Sequence, residues 1–159
     1  MRTMLARLRE LAPTWMGAAV HVKEKGADGL RTWIRVPDLP RLLAAPELAT
    51  VGFFGVARAE VDHTRIHDLE TQVVDTLEMT PGVLCYFDLE LDDGRYGNLI
   101  LLTDEAAPAQ LRSHGLHLRA VELTPLHYHS ARLHYGRVAS PLLGDAELVH
   151  VTTREFQFD

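Results

Sequence analysis

Residues 49–138 carry a regular alternation of apolar and polar positions that predicts four strands and two helices. The segments "ATVGFFGVARAEV", "GVLCYFDLEL", "RYGNLILLTD" and "HYHSARLHYGRV" indicate strands. A helix is expected from the cap residue Asp62 to about residue 79, because apolar residues recur there at spacings of three and four: Ile66, Leu69, Val73 and Leu77. A second helix is expected from residue 103 or 104 to Thr124-Pro125. The order β-α-β-β-α-β indicates an α+β, ferredoxin-like antiparallel sheet with its helices on one face.

The segments on either side of this core predict a helix, a hairpin, a short helix and a last strand. Leucines spaced three apart predict a helix over residues 2–12, and "GAAVHVKEK" and "LRTWIRV" form a hairpin around a turn at 26–29. Asp38 caps a short helix, and "AELVHVTTREFQF" continues the sheet. We therefore predict a single domain over residues 1–159. It comprises an N-terminal helix and hairpin elaboration (1–48), the ferredoxin-like core (49–138) and a C-terminal strand extension (139–159).

The central hairpin of the core, which turns at "DDG", is apolar on both of its faces. Cys85 and Phe87 share one face of its first strand, while Leu84 and Tyr86 occupy the other. Because the predicted helices cover only one face, a second layer has to cover the opposite one. We expect either the N-terminal hairpin or a twin subunit to supply that layer.

The composition narrows the class of protein. With 47% hydrophobic and 24% charged residues, the chain is typical of a globular protein, and its apolar runs are too short to cross a bilayer. The start "MRTMLARLRELAP" lacks the unbroken apolar stretch of a signal peptide, so we expect a cytoplasmic protein without membrane contact. Cys85 is the only cysteine, which excludes an internal disulfide.

The net charge of −6 is unevenly distributed along the chain. Residues 1–41 carry eight Arg or Lys and four Asp or Glu, whereas residues 42–159 carry eight and eighteen. Nucleic acid is therefore not an expected partner, because phosphate binding relies on a concentrated basic face.

The segment "GNLILLTDEAAPAQLRSHGLHLRAVELTPLHYHSARLHYG", with the order of elements, resembles the dimeric α+β barrel superfamily. Within it, the resemblance is to antibiotic-biosynthesis-monooxygenase and haem-degrading-monooxygenase-like domains. It covers residues 49–138, and its local part is a small residue followed by histidines in the second helix, here Ser113, His114 and His117. The resemblance implies a homodimer whose sheets pack face to face, with a pocket for a small hydrophobic molecule between sheet and helices. Haem is one cofactor that it allows.

His114 and His117 are the candidate cofactor ligands. Helical spacing places His114 on the sheet-facing side with Leu111, Leu118 and Val121, and His117 lies within one turn of it. In an apolar pocket either imidazole could bind haem iron, and His114 is also a catalytic candidate. The alternative is a core histidine hydrogen-bonded to a strand, with His117 as its half-exposed neighbour.

Two further histidine pairs have spacings that suit a metal ion. His127 and His129 alternate along a predicted strand and would share one of its faces, although a third ligand is not identifiable. His63 and His67 are four residues apart on the first helix, where the simpler interpretation is a boundary pair beside acidic residues.

Asn98 is the remaining catalytic candidate, since cofactor-independent oxygenases resembling this fold use an asparagine and aromatic neighbours to hold an oxygenated substrate. The alternative is an amide satisfied by backbone groups. The other polar residues with a possible role are Tyr86, Asp88, Tyr96 and Arg132.

These observations predict a dimeric α+β barrel that binds a small hydrophobic molecule, aromatic or haem-like, in a sheet-helix pocket with monooxygenase chemistry. If oxygenation occurs, haem or the substrate itself must carry the electrons. The alternative is a non-catalytic ligand-binding or assembly module in which the histidines are structural.

Overall fold

Seven strands pair into one antiparallel sheet in a computed structural model of the chain. The structure describes residues 1–25, 31–77, 80–90, 95–104, 106–107, 109 and 114–159. The strands are β1 (Val20–Lys25), β2 (Arg31–Val36), β3 (Leu48–Ala57), β4 (Val83–Glu90), β5 (Arg95–Leu102), β6 (Tyr128–Val138) and β7 (Leu148–Gln157). Their order across the sheet is β1-β2-β4-β5-β3-β6-β7.

Within the described residues, four helices pack on the two faces of this sheet. They are α1 (Arg2–Leu11), α2 (Leu39–Ala44), α3 (Thr64–Asp75) and α4 (Gly115–His127), and a short 3₁₀ turn follows α1 at Ala12–Thr14. Strands β3, β4, β5 and β6 with α3 and α4 form the β-α-β-β-α-β core, in which β3 and β5 lie between β4 and β6. The predicted α+β, ferredoxin-like fold is confirmed. Among the described helices, none is long and apolar enough to cross a membrane.

The N-terminal hairpin extends the sheet rather than covering it. β2 pairs with β4, with Ile34 opposite Phe87, so β1 and β2 form one edge. The second layer expected from the hairpin or from a twin subunit comes instead from α1 and α2. Their fully buried Leu8 and Leu42 belong to the same core as Phe87 and the inward leucines of β5. We call this the α1/α2 face and the opposite one the α3/α4 face.

The short helix α2 shows how local sequence determines an element. The side chain of Asp38 accepts a hydrogen bond from the backbone N–H of Arg41 at 2.9 Å, as predicted for an N-cap. The first long helix of the core, α3, begins at Thr64 after His63, slightly later than the predicted start at Asp62. Its buried residues Ile66 and Leu69 follow the predicted stripe.

The predicted orientation of α4 was wrong. Leu118 and Val121, expected to face the sheet with His114, are 50% and 54% exposed. The helix begins only at Gly115 and continues through Pro125 to His127. A competing stripe faces inward instead: Leu116, Ala120, Leu123 and His127, of which His127 is buried and the others are half-buried. Because α4 has apolar residues on more than one of its sides, their spacing alone could not identify the buried side.

The C-terminal extension is tied to α1. The guanidinium of Arg9 donates hydrogen bonds to the carbonyls of Leu142 at 2.9 Å and Ala146 at 2.7 Å. Strands from all three predicted segments belong to the one sheet, while the division at residues 48 and 138 stays a prediction. The predicted turns at 26–29 and 92–94, together with Leu111 and Ser113, lie outside the described residues.

Candidate functional site

Polar side chains cluster in the middle of the α3/α4 face, where apolar ones are expected. Asp88 on β4 lies opposite Asn98 on β5, and Tyr86 and Tyr96 are two residues from them along the same strands. Because side chains alternate along a strand, all four point to the same face. Asp88 has no exposed surface, and both tyrosines are buried.

α3 adds a carboxylate to this group. The hydroxyl of Tyr86 donates to Oε1 of Glu70 at 2.6 Å, the hydroxyls of Tyr86 and Tyr96 are 3.0 Å apart, and that of Tyr96 contacts Oδ2 of Asp88 at 3.1 Å. We call Glu70, Tyr86, Asp88 and Tyr96 the acid-tyrosine cluster. The four groups form one continuous chain of three hydrogen-bonding contacts.

The three contacts are all hydrogen bonds only if the cluster holds one proton more than its two tyrosine hydroxyls supply. Three hydrogen bonds need three protons, and each neutral hydroxyl carries one. The third has to come from a carboxyl, so that Asp88 donates to Tyr96, Tyr96 to Tyr86, and Tyr86 to Glu70, or the reverse. With both carboxyls ionised, the contact between the hydroxyls would contain no proton. One protonated carboxyl supplies the third proton, and all three contacts are then hydrogen bonds.

The surroundings favour Asp88 as the protonated member. Burial and, after it, the charge of nearby Glu70 raise its pKa to about 8, although Arg31 lowers it in part. Glu70 has a cation beside it, because a guanidinium nitrogen of Arg31 lies 4.0 Å from its Oε2. Burial and the neighbouring carboxylates also raise the pKa of the Tyr86 phenol well above its ordinary value, so that hydroxyl stays a donor.

One atom of the cluster has no partner within the described chain. Oδ1 of Asp88 is buried and accepts no hydrogen bond, although an unsatisfied buried polar atom is costly. Aromatic and apolar groups surround the cluster: Trp33 contacts the ring of Tyr86 edge-on, and Leu123 of α4 packs on the group that contains Tyr96. Oδ1 is thus a hydrogen-bonding position in an apolar setting.

Asn98 lies beside the cluster, and its side chain forms a hydrogen bond with the backbone. Its side-chain oxygen accepts a hydrogen bond from the N–H of Phe53 at 3.3 Å. This is the arrangement expected if the amide is structural, and a hydrogen bond from Asn98 also favours the ionised form of Tyr86. Its catalytic role stays a prediction.

His114 and His117 lie at the start of α4. His114 is the N-cap residue, half-buried and without a side-chain capping bond, rather than a residue in the middle of a helix. His117 is half-buried in the first turn. The apolar side chains expected to form a pocket wall with them, Leu118 and Val121, face solvent. Leu118 and Val121 therefore do not form, with these histidines, the apolar wall that would enclose a haem macrocycle.

His127 and His129 are separated by the end of α4. His127 is the last helical residue and is buried, with its Nδ1 3.3 Å from Nδ1 of His63, whereas His129 is exposed on β6. The two do not share a strand face. Among the described residues, no group of three or more His, Cys, Asp or Glu side chains is arranged to hold a metal ion.

Comparisons with known proteins identify the fold. No protein-family model matches the sequence, and no curated protein matches it. A solved structure of a protein of unknown function from Nitrosomonas europaea superposes with a TM-score of 0.52 and 10% identity, over 61% of this chain and 94% of that one. A proposed monooxygenase from Fusobacterium nucleatum gives 0.50 and 11%, over 96% of this chain and 62% of that one.

A third solved structure, the cofactor-independent oxygenase SnoaB from Streptomyces nogalater, gives a TM-score of 0.44 and 17% identity over 58% of this chain and 91% of that one. At these identities the likeness concerns the fold alone. At that level, the predicted resemblance to α+β barrel domains is confirmed. The Fusobacterium match extends beyond residues 49–138 to the N-terminal and C-terminal segments.

Sequence reasoning named Tyr86, Asp88 and Tyr96 but missed Glu70. A signal for it existed, because Glu70 follows Ile66 by four residues and so lies on the buried side of α3. A carboxylate on the inward side of an amphipathic helix is uncommon unless it is paired. Combining this with the polar residues on β4 and β5 would have located the cluster.

Proposed function

We propose that the chain binds an aromatic small molecule between the sheet and helices α3 and α4, and that Asp88 is the acid-base residue of monooxygenase-like chemistry there. The observation that carries this proposal is the buried series of contacts that links Asp88, Tyr96, Tyr86 and Glu70. The Fusobacterium protein with this fold, itself a proposed monooxygenase, is in line with the reaction class.

The cluster suits proton transfer at neutral pH. A group whose pKa is about 8 exchanges protons readily near pH 7. If each of the three protons moves to the next oxygen of the acid-tyrosine cluster, the net result is transfer of one proton from Asp88 to Glu70 through the two tyrosine hydroxyls. Asp88 is then ionised, and its Oδ1, which accepts no hydrogen bond within the described chain, can take a proton from an acidic C–H or O–H bond of the substrate.

The substrate supplies the electrons in this scheme. Removal of a proton from an activated aromatic methylene group leaves an electron-rich carbon that can react with O₂. The methylene becomes a carbonyl, one oxygen atom enters the product, and the other leaves as water with the two hydrogens. The chain's own contribution is to orient the substrate, hold the proton and exclude solvent.

Access to Asp88 requires α4 to move. This helix buries only His127 fully and exposes Leu118, Val121 and Leu126. Its displacement would consequently expose little additional apolar surface at those positions. Leu123, which packs on the Tyr96 side of the cluster, would move with it and open the apolar space in front of Asp88.

Oxygen uptake with 2-tetralone, an aromatic ketone with an acidic benzylic methylene, tests the proposal. We expect wild-type protein to accelerate uptake and Asp88→Asn to lose about a hundredfold or more of that rate, the usual range for general acid-base catalysis. Asp75→Asn, at an exposed carboxylate on the same helix as Glu70, is the matched control and should retain the rate. Equal rates in wild type and Asp88→Asn, or no uptake by wild type, would contradict the proposal.

The alternative function is a non-catalytic binding module. The absence of oxygen uptake by wild-type protein would favour it. Haem ligation by His114 or His117, metal binding by His127 and His129, the homodimer and the cytoplasmic location stay predictions. In a dimer with its sheets face to face, α1 and α2 would lie between the two sheets, because they cover much of the face that would meet the twin subunit.

A further inference from the structure

The α1/α2 face has an open cavity over β3, β6 and β7, beyond the part that the helices cover. Its volume is about 430 Å³, within the range of small-molecule sites. It lies on the opposite side of the sheet from the acid-tyrosine cluster. Nothing in the proposed function uses it.

The cavity is lined by arginine and histidine side chains together with apolar ones. Side chains that can carry positive charge line it: Arg2, Arg95, Arg132, His134 and His150. No acidic residue stands among the described lining residues. The whole chain has a net charge of −6, so this concentration of cationic groups runs against the overall charge.

Local sequence explains the shape of the cavity. Arg132 and His134 alternate on β6 and therefore share one face, and Phe54 on β3 is the cross-strand partner of Arg132. The ring of Phe54 lies over Gly97, where a Cβ atom would come within 2.6 Å of it, and it packs edge-on against His134. A glycine at position 97 thus lets an aromatic ring form the base of the pocket.

The histidines are held by one hydroxyl. Oγ1 of Thr153 is 2.8 Å from Nδ1 of His134 and 2.8 Å from Nε2 of His150. A single hydroxyl can donate to one ring and accept from the other, which orients both imidazoles. Burial lowers the pKa of His134, and His150, the N-terminal amine and Arg132 lower it further, whereas only Glu155 raises it. The groups around His134 are therefore predominantly cationic.

We propose that this cavity binds a small organic anion whose aromatic or apolar body lies against Phe54 and whose carboxylate, sulfonate or phosphate group is held by Arg132 and His134. Arginine suits such anions because its planar guanidinium can donate two parallel hydrogen bonds. Arg132 already pairs with Glu155 at 3.2 Å on the exposed side, and a ligand would add a second anion to the same cation.

Fluorescence titration with 8-anilinonaphthalene-1-sulfonate, an aromatic anion, tests this site. We expect one molecule to bind per chain, with an affinity that falls as sodium chloride is added. Arg132→Gln should weaken binding about tenfold, the size expected for loss of a hydrogen bond between charged groups. Because the side chain of Arg132 is 61% exposed, its replacement leaves the fold intact.

The matched control is Arg119→Gln, which removes an exposed arginine of α4 on the opposite face. It should bind the probe like wild type, and the neutral analogue N-phenyl-1-naphthylamine should bind less tightly than the anion. Equal loss in both variants, no loss in either, or no binding of the probe would overturn the proposal. The proposal would also be overturned if light scattering shows a dimer that does not bind the probe and if Val56→Asp dissociates that dimer. The cavity would then be an interface between copies of the chain.

Discussion

Asp88 has the least ordinary environment of any carboxyl group in the described chain. It stands on a central strand with no exposed surface, and its pKa is raised to about 8 by burial and by Glu70. A carboxyl whose pKa is higher in the folded than in the unfolded state binds its proton more tightly when folded. The contribution of Asp88 to the free energy of unfolding is therefore largest below pH 4, and it is lost as the pH rises toward 8.

Replacement of Asp88 by asparagine should remove this dependence. In wild type, the Asp88 contribution should lower the free energy of unfolding by an amount on the order of a few kcal/mol between pH 5 and pH 8.5. Asp88→Asn should lose that decline and be more stable than wild type at pH 8.5. Urea unfolding at the two pH values measures it, with Asp75→Asn as the control that keeps the wild-type slope. An unchanged slope in Asp88→Asn would count against a buried, protonated Asp88.

Strand positions could be predicted from the sequence because alternation has a period of two and leaves little choice of face. The predicted faces of β4 and β5 are therefore correct except at Leu84, which packs in the α1/α2 core because the register shifts between Val83 and Cys85. Asp88 was named among the polar residues with a possible role. Glu70 was missed because its role depends on the phase of α3 against those strands, which spacing within one element does not contain. The histidines at the start of α4 were placed incorrectly for the same reason.

At the scale of the elements, α3 and α4 differ in how much they bury. α3 directs Ile66 and Leu69 into the core, whereas α4 leaves Leu118 and Val121 exposed. Ile66→Ala should lower the free energy of unfolding by about 2–4 kcal/mol. Leu118→Gln with Val121→Gln should change it by less than about 1 kcal/mol, as surface substitutions do. Urea unfolding measures both, and a larger loss in the α4 variant would show that α4 is packed as the sequence first suggested.

At the scale of the whole molecule, the two ends of the chain complete the sheet and its cover. α1 packs on the face opposite to α3 and α4, and Arg9 fastens it to the carbonyls before β7. The anion-binding cavity depends on this arrangement, since Arg2 and His150 are far apart in sequence. No local pattern links them, so the sequence predicted the core but not the cavity.

The central claim, a proton held by Asp88 within a buried chain, is tested most directly by carbon-13 NMR of its side-chain carboxyl between pH 4 and pH 10. The resonance can be assigned by its absence in Asp88→Asn. We expect Asp88 to be protonated at pH 6 and to titrate with a midpoint near 8. A midpoint near 4, the ordinary value for an aspartate, would contradict the account, because Asp88 would then hold no proton at neutral pH.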